Sequence, residues 1–172
     1  MFRNQYEIFL ILIFISSVFA GSLGKNHSAE LLSIGRSVPM SFSNNNLVIA
    51  KTFSSLTPRA IDIYNVDDAG VLTKVRELNS PNPMPGDDFG FSLDISNNYL
   101  LVGSPGYNNG HGAAFLFKKI NEVWEIDRVF TNPTSFENKG FPHKFGYSVA
   151  LSDDYLSISS PFYNDGLVYI YS

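Results

Sequence analysis

From Leu32 onward, apolar and polar positions alternate over short stretches that Asn, Ser, Gly and Pro interrupt every few residues. Such alternation predicts strands, because side chains two apart on an extended chain share a face. Ser92–Ile95 alternates as a half-buried strand, Ser96-Asn97-Asn98 is a turn cluster, and Tyr99-Leu-Leu-Val102 is a continuous apolar run suited to burial on both faces. The Gly- and Asn-rich stretch Pro105–Gly112 predicts a loop, Ala113–Phe117 a third strand and Glu122–Phe130 a fourth. The same order is predicted upstream at Val38–Phe42, Leu47–Ala50, Ala60–Val66 and Val71–Leu78. Downstream it returns at Tyr147–Leu151, Tyr155–Ser159 and Leu167–Tyr171. Helical periodicity is almost absent.

The pattern is a repeat. Asp88-Phe89-Gly90-Phe91-Ser92-Leu93 returns as Lys144-Phe145-Gly146-Tyr147-Ser148-Val149, and Val102-Gly103-Ser104-Pro105 returns as Ile158-Ser159-Ser160-Pro161. The Phe, Gly, Ser and Pro pairs each stand 56 residues apart, and a weaker copy begins at Ile34-Gly35. Four short antiparallel strands per period are the unit of a β-propeller blade. The period is too long for a solenoid rung, and a sandwich would not repeat its motif. The expected fold is therefore all-β, built of repeated four-stranded antiparallel blades. About two and a half blades are present, an incomplete or open ring, since closure takes roughly 4–8 blades. The expected divisions are a degenerate blade over 33–87, a blade over 88–143 and a partial blade over 144–172, preceded by a polar lead-in over 21–32.

Composition narrows the class. At 44% hydrophobic and 16% charged, the chain is neither disordered nor highly charged. A net charge of -4, with no local run of Lys or Arg, excludes nucleic acid as a partner. With no cysteine, the fold uses no disulfide and no thiolate metal site. Residues 1–20 read as a signal peptide: Arg3 is the basic start, Ile8–Ile15 the apolar run, and Val18-Phe19-Ala20 the cleavage site after about Ala20. The rival reading, an uncleaved membrane anchor, needs about 20 apolar residues, and Ser16-Ser17 with Gly21 cut the run short. The expected location is thus secreted and extracellular. Asn26-His27-Ser28 makes Asn26 a candidate glycosylation acceptor.

The repeated residues resemble FG-GAP repeats, the blades of integrin α-subunit propellers and of many secreted proteins. The resemblance rests on Phe89-Gly90-x-Ser92 with Gly103-Ser104-Pro105, on Phe145-Gly146-x-Ser148 with Ser159-Ser160-Pro161, and on the aromatic strands after Gly112 and Gly166. Trp124 stands where related repeats carry an outer-strand Trp. The motif positions Phe89, Gly90, Ser92, Gly103, Pro105, Phe145, Gly146, Ser148 and Pro161 read as structural: glycines for close approach or positive φ, rings for burial between blades, prolines to end strands. Integrin-type repeats often carry a calcium loop between the first two strands. Ser96-Asn97-Asn98 and Ser152-Asp153-Asp154 are too short to wrap such a cation, and in Asn65–Gly70 the residue Ala69 removes a ligand. No calcium or other cofactor is therefore expected.

Catalytic patterns are also missing. Gly90-Phe-Ser92-Leu-Asp94 lacks the closing glycine of a nucleophile elbow. His27, His111 and His143 are far apart in sequence, and Glu125 with Asp127 reads as the solvated face of an outer strand. The resemblance implies a non-enzymatic protein-binding or adhesion module. Its partner would be an extracellular protein or glycan, contacted through the loops Pro105–Gly112 and Pro161–Gly166, with self-association through open blade edges. The alternative is a fragment or decayed copy of a larger secreted propeller protein, including a hydrolase.

Overall fold

The computed structural model describes residues 38–51, 60–133, 142–163 and 165–172. The signal segment and Asn26 lie outside the described residues. The first sheet is a meander of β1 (Met40–Ser43), β2 (Asn46–Ala50), β3 (Ala60–Val66) and β4 (Leu72–Asn79). The second is β5 (Ser92–Ser96), β6 (Tyr99–Ser104), β7 (Ala113–Ile120) and β8 (Val123–Thr131), with the short turn α1 (Tyr107–Gly110) between β6 and β7. The third is β9 (Val149–Leu151), β10 (Leu156–Ser160) and β11 (Leu167–Tyr171). The pairings between these strands are antiparallel and join neighbours in sequence, and an isolated parallel bridge links Gly112 to Phe145 between the second and third units. The first unit lacks Phe-Gly yet forms a full four-stranded sheet, because strand formation needs only the alternation and the turns.

Local chemistry explains the hairpins. Asn44 and Asn45 both adopt positive φ, as do Asn121 and Glu122. Two-residue turns of that hand match the twist of the strands they join, and Asn tolerates the left-handed region. The β3–β4 pairing slips between Ile63 and Tyr64, and β7–β8 slips at the same place in the next unit, between Leu116 and Phe117. Asp127 is the extra residue of that second bulge, so Glu125 and Asp127 do not share a regular face. Such bulges strengthen the twist of an outer strand.

The sheets stack face to face, and the core divides into two seams. The first holds Val48, Ala50, Ile61 and Ile63 of one sheet against Leu93, Ile95, Val102, Phe115 and Phe117 of the next, with Phe89 between them. The second holds Leu101, Ala114, Leu116 and Phe130 against Leu156 and Ile158, with Phe145 between them. Strand β6 contributes to both, which is why Leu100, Leu101 and Val102 are all buried. Polar links bind the same seams. Ser41 Oγ donates to Asp94 Oδ1 at 2.8 Å, while Asp94 Oδ2 accepts from the Leu151 amide at 2.9 Å, so one carboxylate on the middle sheet ties down both neighbours.

Candidate interaction surface

In the second sheet the β5–β6 hairpin tip points to one end, and the connection after β6, together with the segment leading into β5, lies at the other; the third sheet repeats this with β9 and β10. That second end carries the repeat motif. Asp88 and Lys144 both adopt φ 57, and Gly90 and Gly146 follow at φ 82 and 85, so each Phe-Gly unit makes the same tight turn. Phe91 N donates to Asp88 O at 3.0 Å, and Tyr147 N donates to Lys144 O at 3.1 Å. Gly90 N and Gly146 N then bond to Gly103 O and Ser159 O, which fastens the turn to the second strand of its own sheet. Phe89 and Phe145 are fully buried, the former meeting Phe115 edge to face at 5.7 Å.

Ser92 and Gly103 hold the second seam. Ser92 Oγ donates to Gly146 O at 2.9 Å across the second seam. A β-carbon on Gly103 would lie 2.1 Å from that same Gly146 O, so the close approach leaves room only for hydrogen. Ser148 N bonds to Ser159 Oγ within the third sheet. Pro105 is buried directly after β6, whereas Pro161 after β10 is exposed.

The loop Pro105–Gly112 is not helical in character. Asn108 and Asn109 sit at φ 49 and 58, which turns the chain left-handed and leaves both amides exposed. Tyr107 turns inward against Phe115 at 5.6 Å. Beside this loop lies a cleft of ≈ 570 Å³ walled by Asn82, Met84, Asp87, Tyr107, Asn108, Asn109, Pro142 and Lys144. Asp87 is buried: its Oδ1 accepts from Phe89 N at 3.2 Å, and its Oδ2 has no hydrogen-bond partner among the described residues. The wall is polar and apolar in about equal parts: three Asn amides, one carboxylate and one ammonium stand beside Met84, Pro85, Tyr107 and Pro142. In the other loop Phe162 is exposed and Tyr163 packs on His143 at 4.8 Å.

Two placements escaped the sequence reading. His111 and His143, distant in the chain, meet edge to face with ring centroids 5.5 Å apart. The spacing held a partial signal, since His143 stands 56 residues after Asp87 and so occupies the same seat before a Phe-Gly turn. Burial first, and the charge of His111 second, hold the His143 imidazole below its ordinary range. The hairpin tips at the opposite end form the other constellation. Asn44 Nδ2 donates to Asn97 Oδ1 at 2.6 Å, and Asp153 Oδ1 accepts from Ser96 Oγ at 2.7 Å and from Asn97 Nδ2. The positions compared with a calcium loop are thus β-turns that also clasp three sheets together. Asp67 likewise closes its own turn, its Oδ1 accepting from the amides of Ala69 and Val71. Among the described residues no group of three or more His, Cys, Asp or Glu is placed to hold a metal ion.

The FG-GAP repeat profile matches residues 72–117. The chain carries an FG-GAP repeat. The matched stretch runs from the outer strand β4 through the Phe-Gly turn, β5 and β6 to Phe117, so it contains Phe89, Gly90, Ser92, Gly103 and Pro105 in one unit. The three antiparallel sheets are consistent with blades of a partial β-propeller, and the turn at Phe145-Gly146 repeats the geometry of the matched one. No curated protein matches the chain.

Proposed function

We propose that this FG-GAP repeat chain is a secreted, non-enzymatic binding module that contacts an extracellular protein or glycan through the loop end of its blades. The observation that carries the reading is the division of labour at that end. Most motif side chains, Ser148 and Pro161 excepted, are occupied in packing and seam bonds, while Asn108 and Asn109 face solvent along a cleft of mixed polar and apolar wall and Phe162 is exposed in the loop after β10. Exposed amides and an exposed aromatic ring, Phe162 packed edge to face on Tyr147 at 5.9 Å, suit recognition when a β scaffold holds the loops and removes most of their ordering entropy.

The test uses purified chain against fixed cells and immobilised extracellular glycoproteins, with and without chelator. Substituting Asn108→Gly and Asn109→Gly keeps the left-handed backbone, and Phe162→Ala removes the ring. Saturable binding that survives chelator and falls at least about tenfold in the triple variant, a change of about 1.4 kcal/mol, supports the reading. Unchanged binding in a variant that melts like the parent, or turnover of a glycosidase, esterase or phosphatase substrate, contradicts it. Secretion is checked separately by N-terminal sequencing of medium from expressing cells, with a start near Gly21 expected.

A further inference from the structure

We propose that His143 and His111 form an acid-sensitive latch at the loop end of the second seam, whose protonation releases the third blade from the second. His143 is only 3% exposed. Its Nδ1 lies 3.1 Å from Asn132 Nδ2. That amide is oriented by bonds that include Tyr169 OH donating to Asn132 Oδ1 at 3.2 Å and the amide nitrogen donating at 3.5 Å to Ser160 Oγ, which donates its own proton to His143 O. The NH2 side therefore faces His143, Nδ1 accepts, and the neutral ring carries its proton on Nε2. Nε2 is buried with no hydrogen-bond partner among the described residues. A second proton would enter at Nδ1, where it would meet the NH2 group donor against donor, with no carboxylate in contact among the described residues.

Among the described residues, the groups around the ring come from several elements. His111 stands after α1, Asn132 after β8, Ser160 and Tyr163 at the end of β10, and Tyr169 on β11. None is a carboxylate. Lys144, next in the chain, lines the cleft beside Gly110. Because burial and His111 both depress the imidazole, the unfolded or opened form binds a proton more readily than the closed one. The closed seam is at full strength above about pH 6.5 and weakens as pH falls from there through the lower folded value, by at most about tenfold in the closed-to-open ratio per pH unit.

The latch is local because its neighbours are the seam. Lys144 N bonds to Gly110 O at 2.9 Å, Phe145 N to His111 O at 3.1 Å, and Ser160 Oγ to His143 O at 2.9 Å. Expelling the ring loosens these bonds and the seat of Phe145 behind them. At the first seam the matching seat holds Asp87, whose carbonyl accepts from Ser104 Oγ at 2.6 Å, so no imidazole is present there.

The experiment is hydrogen exchange of the full chain at about pH 7.5 and about pH 5.5, corrected for intrinsic rates, in the parent and in His143→Asn. Acidification is expected to reduce protection of β9–β11 several-fold more than that of β1–β4, and His143→Asn is expected to remove the difference. Protection of β9–β11 that is insensitive to pH, or that falls equally in the variant, overturns the proposal. If the variant does not fold, the three histidines of the parent are titrated by NMR, with His27→Gln and His111→Gln for assignment. A His143 midpoint below that of an unperturbed imidazole, about 6.5, is expected, and one at or above it overturns the latch.

Discussion

At the residue scale, two positions govern the seams for opposite reasons. Gly103 acts by having no side chain. A β-carbon there would meet Gly146 O at 2.1 Å and Ser92 Oγ at 2.2 Å, and the first of these is backbone that cannot swing away. Gly103→Ala is expected to cost about 2–4 kcal/mol in urea denaturation, in the range of severe overpacking. Asp94 acts through its carboxylate, which bonds to Ser41 on one side and to the Leu151 amide on the other. Asp94→Ala should lose about 2–3 kcal/mol, since bonds to a charged acceptor are the stronger kind. Asp94→Asn, which keeps one acceptor oxygen, should lose less. An alanine variant as stable as the parent would show that the bridge contributes nothing net. The role of Gly103 could be suspected from its place in the repeat. That of Asp94 could not, because its equivalents are Ser41 and Ala150 and no shared residue type marks the position.

At the element scale, strand β11 shows how a short segment is held. Tyr169 packs on Phe145 at 5.4 Å and Tyr171 on Phe130 at 4.7 Å, so one face of the strand closes the second seam. Burial first, and the nearby Tyr169 second, raise the Tyr171 phenol above its ordinary value. A phenol harder to ionise when folded gives stability that is complete below about pH 10 and is lost as pH rises through the folded value. The Tyr171→Phe variant should therefore show a flatter loss of thermal stability between about pH 9.5 and about pH 11 than the parent. Parallel curves would place the alkaline sensitivity elsewhere. Both the strand and its alternation were legible, since each depends on residues within a few positions. Which face met the second blade was not, because the alternation of Leu167–Tyr171 is apolar on both sides.

For the molecule as a whole, that other face has a consequence. Val168 is 65% exposed and Ile170 71%, yet their counterparts on the second blade, Ala114 and Leu116, are buried against the third. The third sheet thus presents outward the kind of surface that its neighbour covers, and β11 is its edge strand, with no further strand paired to it among the described residues. Concentration-dependent self-association is expected in light scattering, and Val168→Lys with Ile170→Lys should keep the chain monomeric without lowering its melting temperature by more than a few degrees. A parent that stays monomeric at every concentration would remove self-association from the proposed partners.

The sequence by itself determined the strands, the turns, the period and the FG-GAP character, because period-two burial, left-handed Asn and Gly turns and a repeated Phe-Gly unit are all short-range properties of the chain. Tertiary structure alone decided that Asn44, Asn97 and Asp153 clasp one another, that Asp94 bridges three sheets, and that His111 meets His143. Those contacts join residues far apart in the chain, and they depend on the rotation and offset with which one twisted sheet lies on the next. A shift of a few ångströms in that stacking would leave every strand intact and break each of these bonds, so no local pattern of residues can encode them.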